Sequence, residues 1–379
     1  MSTNIQSQDG LPESKYEPGS HPDEEPPAFS TGPVHWVKEN LFSSPLNIVL
    51  TLLAVWLLYL IIPPMVNFFF LDAAFSGNSR VECREIASGA CWAFIRVRFG
   101  QFVYGFYPVD LRWRVDLAFV LLIVALVPIL AEKVPYRRPL LYFSAVYPVI
   151  AYFLLRGGLG LEPVETAKFG GFLLTLIIGV TGIAASLPIG VVLALGRKSN
   201  MPLVRILCVV FIEFIRGVPL ITLLFVAHLM LNYFLPPGTN LDLLMRVLVM
   251  VTLFAAAYIA EVVRGGLQAI PKGQYEAAEA MGLTYWQSMR LIILPQALKI
   301  SIPGIVNTFI GLFKDTTLVL IIGLLDPLGI GRAALSDSKW QGLAAEVYIF
   351  VAIFFFICCF SMSRYSLYLE KKLHTGHKR

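Results

Sequence analysis

Apolar residues in this chain gather in long unbroken runs. Eight stretches stand out, near Leu46–Ile62, Val115–Ala131, Pro139–Leu155, Gly170–Leu195, Gly217–Leu235, Leu241–Val263, Ala297–Ile322 and Ala344–Met362. Each approaches the roughly 20 residues that a helix needs to cross a hydrocarbon core. No two-residue alternation suits a barrel, so helices are the remaining structure that satisfies its own backbone in lipid. Pro63-Pro64, Pro236-Pro237-Gly238 and Pro327 read as ends of spans, and Pro303-Gly304 reads as a break inside the seventh. The expected fold is an all-α integral membrane protein of eight transmembrane helices.

Composition agrees. The 379 residues are 57% apolar and 15% charged, with mean hydropathy +0.71, whereas soluble domains carry about 25% charged residues. Residues 1–45 differ: segments such as His21–Pro27 mix Pro and acids with few large apolar groups, so a disordered cytoplasmic tail is expected there. Neither a basic start nor an early apolar stretch marks a cleavable signal peptide, so the first span is expected to stay. Residues 46–164 then supply three helices and a long periplasmic loop at 63–114, and 371–379 form a basic cytoplasmic tail.

Charge orients the spans. With the N-terminus inside, sixteen Lys and Arg fall on cytoplasmic short segments, among them Arg197, Lys198, Arg216, Arg264 and Lys272. The outer short loops hold four, Arg156, Lys168, Arg332 and Lys339. Cationic loops stay inside, so both termini are expected in the cytoplasm. The acidic tail and the six Arg of 63–114 run against this asymmetry, but acids and long loops weigh little in it. The net charge of +5 therefore needs no nucleic acid. Cys208, Cys358 and Cys359 sit in apolar runs as small hydrophobes, while Cys83 and Cys91 share the long loop, where a disulfide and two free thiols are both open.

The most informative segment joins spans six and seven, Gly265–Lys299. Ile270-Pro271-Lys272-Gly273 is a stop and restart, Gln274–Met281 a short helix with Glu276 and Glu279 on one face, and Gly282 a turn. Thr284 with Gln287 offers a capping box, and Pro295 opens the next span. Two short helices meeting at a glycine outside the membrane are expected. The run Glu276-Ala277-Ala278, Gly282, Ile292 and Leu294-Pro295 resembles, position by position, the coupling-loop signature of type I ABC importer permeases.

Phe214–Pro219, Ala260–Gly266 and Lys314–Leu318 resemble further elements of the polar amino-acid permeases, with Val218 where Thr is usual. The similarity spans 165–370, implying a five-helix permease core with its coupling loop at 265–299. The extra N-terminal spans resemble the M-type permease of general L-amino-acid systems. This implies a second permease, two cytoplasmic ATPase subunits, a periplasmic binding protein and an L-amino-acid substrate, in a bacterial inner membrane. In that arrangement the small Ala277 and Ala278 let the helix approach an ATPase groove, and Glu276 and Glu279 meet its basic groups. ATP and Mg would sit on the partner, with no cofactor on this chain.

Lys314 and Asp315 lie within span seven, where a central charge costs about 2.5–3.5 kcal/mol, so each needs its own partner. Asp315 is expected either to hold a ligand ammonium or to pair with a structural cation. Asn307, Thr316, His228 and Asn232 complete the polar candidates for a substrate pathway. Glu213 with Arg216, and Glu261 with Arg264, read as helix-surface pairs at cytoplasmic ends. Gly190–Ser199 has the wrong spacing and context for a phosphate-binding loop. No catalytic constellation or metal cluster emerges, and the chain is expected not to be an enzyme. A self-sufficient secondary transporter or channel is the rival reading.

Overall fold

The computed structural model describes residues 32–131, 133–234, 236, 238 and 241–373. Almost every described residue that forms regular structure is helical, and only two isolated bridges fall outside helices. Seven helices are long and apolar enough to cross a membrane, and a bent pair raises the number to eight. The first 31 residues of the expected tail, its counterpart at 374–379, and Leu235 at the end of span five lie outside the described residues.

The chain divides at Leu71 into two compact units. In the first, α1 (Pro33–Leu41) occupies part of the segment expected to be disordered. Ser44 caps α2 (Pro45–Val66) by accepting the amide of Asn47. Pro63 and Pro64 do not end this helix. They lie inside it, and a wide turn carries it on to Leu71. No residue of α2 is buried, as expected of a side-chain surface suited to lipid on every side.

The second unit opens with the segment expected to be an outer loop, and it is folded. The helices α3 (Arg80–Ile86) and α4 (Ala93–Tyr104) are linked by a disulfide between Cys83 and Cys91, with Cα atoms 5.7 Å apart. Phe94 and Phe102 of α4 are buried in one apolar cluster with Trp340, Leu343 and Val347. The buried Glu346 carboxylate accepts the Cys91 amide at 2.9 Å, and Arg98 pairs with Asp337. The segment from Ala74 to Phe102 is thus sewn onto the C-terminal helices.

The spans of the second unit are α5 (Arg112–Leu130), α6 (Arg137–Arg156), α7 (Gly171–Arg197), α10 (Leu243–Gln268), α13 (Leu294–Asp315) and α15 (Ala344–Leu373). The shorter α14 (Pro327–Ala334) precedes α15. Close packing of α7 on α10 and α13 uses small residues. A methyl group added at Gly190 would meet Ile259 at 2.6 Å, and one at Gly266 would meet the Ser301 hydroxyl at 2.1 Å. Such near approach is how membrane helices gain dispersion energy without a hydrophobic driving force.

Two expectations about the spans are corrected. The fifth is not a single run at Gly217–Leu235. It is α8 (Pro202–Gly217) and α9 (Leu220–Leu229), bent by 103° at Val218-Pro219. Nor does Pro303-Gly304 break α13, which stays helical past both residues. The change of geometry comes later, where Asp315 hands over to a tight turn-like helix at Thr316–Ile322 that Gly323 ends with φ +93°.

Candidate coupling site and polar cluster

Helix α10 runs to Gln268, and α11 (Lys272–Ala280) follows after the Pro271 break. Gly282 then turns the chain with φ +72°, its amide bonding Glu279 O at 2.9 Å while Leu283 N reaches back to Ala278 O. Thr284 and Gln287 form the expected capping box and start α12 (Tyr285–Ser288). The second short helix is not separate, however. Through one wide turn at Met289–Ile293 it continues into α13, so Leu294 and Pro295 sit within a helical run of 38 residues.

Three side-chain contacts hold α11 on the core. Lys198, after the end of α7, places its ammonium 2.8 Å from the Tyr275 hydroxyl and 4.6 Å from the ring centroid. The same hydroxyl donates to Leu267 O at 3.2 Å, and Gln296 Nε2 donates to Gln274 at 3.0 Å. Ala278 is buried, so its small size serves packing within this chain and not an outward approach as the sequence suggested. Glu276, Ala277 and Glu279 are exposed. Beside them Met281 and Trp286 are 79% and 69% exposed, an apolar surface flanked by two acids.

Above this segment lies an ion network that sequence spacing did not reveal. Glu213 is paired with Arg197 of α7 at 2.7 Å, not with Arg216. Glu261 is the hub: it meets Arg264 at 2.8 Å, Arg197 at 2.9 Å and Arg216 at 3.5 Å. Three helices converge on one carboxylate because the α8–α9 bend brings Arg216 toward α10. A clue existed in the sequence, since acids within apolar helices need partners, but their identity depends on packing.

The pathway candidates separate into two groups that no hydrogen bond or ion pair joins among the described residues. Asp315 is half-buried and Lys314 exposed, and neither side chain makes a hydrogen bond or an ion pair among the described residues. Thr316 is buried and spends its hydroxyl on Phe313 O at 2.7 Å, and Asn307 is exposed. His228 instead accompanies Arg246, which sequence reasoning passed over. Arg246 donates to His228 O at 2.6 Å, while His228 Nδ1, Asn232 Oδ1 and Arg246 Nε are buried without a partner. Outside the spans, Asp326 caps α14 by accepting the Gly329 amide at 2.9 Å and the Leu328 amide. Burial outweighs these bonds and pushes its carboxyl up to about 6. Among the described residues no group of His, Cys, Asp and Glu could hold a metal.

Residues 186–375 match the family model described as "Binding-protein-dependent transport system inner membrane component". The chain belongs to this family. The permease is 53% identical over 94% of its length to an inner membrane amino-acid ABC transporter permease protein, YhdY, of Escherichia coli K12, covering 97% of that relative. It is 49% identical over 93% of its length to the glutamate/glutamine/aspartate/asparagine transport system permease protein BztC of Rhodobacter capsulatus, covering 96% of it. A crystal structure of an amino acid ABC transporter with histidines matches with TM-score 0.46 at 28% identity, over 52% of this chain and 90% of that one. The permease is thus a multi-pass inner membrane component of a transport system that works with a binding protein, which sets the self-sufficient transporter aside.

Proposed function

We propose that the chain is one permease subunit of an ATP-driven importer of L-amino acids, with 265–299 as its contact to a separate ATPase. The observation that carries this reading is the build of α11. It is clamped to α7, α10 and α13 on one side and presents Glu276, Ala277, Glu279, Met281 and Trp286 on the other. A helix fixed to several spans and bare on its outer face can pass a push from a docked partner to those spans. Relatives named for amino-acid transport support the substrate class.

In this reading the exposed edge of α11 and the Gly282 turn face the cytoplasm, as do both chain ends. Two ATPase subunits, a second permease and a periplasmic binding protein complete the complex, and 165–370 is the permease core. ATP and Mg belong to the ATPase, and this chain performs no catalysis. ATP binding draws the coupling segments together and favours one of two arrangements of the permeases. Because the Asp315 carboxylate makes no ion pair or hydrogen bond among the described residues, it is the first candidate to meet the substrate ammonium. Co-expression with the ATPase, second permease and binding protein should give a complex whose ATP hydrolysis rises with loaded binding protein. Failure of the ATPase to co-purify with the intact permease overturns this reading.

A further inference from the structure

An elongated cleft of about 770 Å³ separates the α5–α6 hairpin from α7 and α10. Its floor follows α7 from Leu173 to Ile189, roughly 24 Å at 1.5 Å per residue. The walls are aliphatic and aromatic, and Ala145, Pro148, Ala184 and Val249 are exposed along the open side. An apolar slot of this length, opening between membrane spans, has room for an extended acyl chain.

Polar groups are confined in a way that specifies the head. Midway along, the hydroxyls of Ser144 and Tyr147 are spent on Ala125 O and Ala118 O. One end is different. Val164 N bonds Arg156 O at 2.8 Å, and two residues on, Thr166 donates to Asp242 Oδ1 at 2.5 Å, so Arg156 and Asp242 share that end. The Arg156 guanidinium is exposed and, among the described residues, makes one hydrogen bond, to the Tyr152 hydroxyl, whose ring it also overlies. Asp242 Oδ2 is buried without a partner. A cation with free donors and a carboxylate oxygen lacking a donor stand at the mouth of an apolar slot.

We propose that this cleft is a binding site for a zwitterionic phospholipid with a primary ammonium headgroup. The phosphate meets Arg156, the ammonium donates to Asp242 Oδ2, and an acyl chain lies along α7. The α5–α6 hairpin, which has no part in the coupling segment, then serves as one wall of a lipid seat. This inference does not rest on the transport reading.

The test uses the full chain purified in mild detergent and offered phosphatidylethanolamine or phosphatidylglycerol carrying a photoreactive acyl chain, with adducts mapped by mass spectrometry. Adducts on Ala145, Ala184 or their neighbours, at least fivefold stronger for phosphatidylethanolamine, are expected. Asp242→Asn should abolish the preference between the two lipids, and Arg156→Gln should weaken capture of both about tenfold, the scale of one charge-assisted bond. Thermal stability without added lipid controls for folding. Ala184→Trp narrows the slot from its exposed wall and should block labelling without disturbing buried packing. Equal labelling by both lipids in the native chain, or labelling indifferent to Ala184→Trp, overturns the proposal. So does crosslinking from position 184 to a polypeptide in place of lipid in native membranes.

Discussion

Glu261→Gln tests the ion network most directly. It removes the one charge that three guanidiniums share, while keeping size and some hydrogen bonding. Breaking a fully buried pair costs about 3–5 kcal/mol because the partner is left unpaired, and exposed pairs are worth under about 1 kcal/mol. Glu261 is 14% exposed, and its partners Arg197, Arg216 and Arg264 are 21%, 34% and 34% exposed. The network therefore falls between those limits, at about 2 kcal/mol. Glu213 has one partner and is 53% exposed, so Glu213→Gln should cost less than about 1 kcal/mol. Equilibrium unfolding of the purified chain in mixed micelles measures both. The hub also implies coupling: Arg264→Gln should cost less in the Glu261→Gln background than alone, by about 1 kcal/mol. Equal losses for the two glutamates, or strict additivity of the second pair, would refute the hub.

Three further outcomes are expected. Gly282 has φ +72° and open space around a would-be Cβ, so its constraint is backbone strain alone; Gly282→Asn should keep near-normal uptake, while Gly282→Val should lose it in a chain that still inserts, measured by uptake against membrane abundance. Burial raises the Asp326 carboxyl from 3.8 to about 6, so the folded state holds the proton more tightly than the unfolded chain. Its contribution is then fully present below pH 4 and is lost as pH rises through 6, on the order of 3 kcal/mol. Thermal melts of native protein and Asp326→Asn should converge or cross between pH 4 and 6, and parallel curves would count against it. Asp315→Asn should lower substrate affinity of the assembled complex roughly tenfold or more with little change in melting temperature, since the carboxylate holds no ion pair or hydrogen bond among the described residues; unchanged affinity with a lower melting temperature would reject the binding role.

The sequence by itself determined the material of this protein. Lipid leaves a spanning chain few choices, so the apolar runs near 115–131, 139–155, 170–195, 241–263 and 344–362 each became a helix. The α11–Gly282–capping-box succession was equally legible, because proline, glycine and the Thr284–Gln287 pair act within one or two turns. Proline misled at Pro63-Pro64 and Pro303, where the helix runs on past the ring. Span five misled because Arg205, Glu213 and Arg216 interrupt the hydropathy of α8. What depended on packing between distant segments was decided only by the tertiary structure. Glu213 and Arg216 have ideal spacing for one another, yet Arg197, 16 residues away, takes the glutamate. Ala278 faces inward while Ala277 faces out, which depends on where α11 rests. The slot between α6 and α7, with Arg156 and Asp242 at one end, exists because two segments 86 residues apart in sequence fold to the same edge. Local rules fix what a helix is made of, and contacts between helices fix which of its faces remains for function.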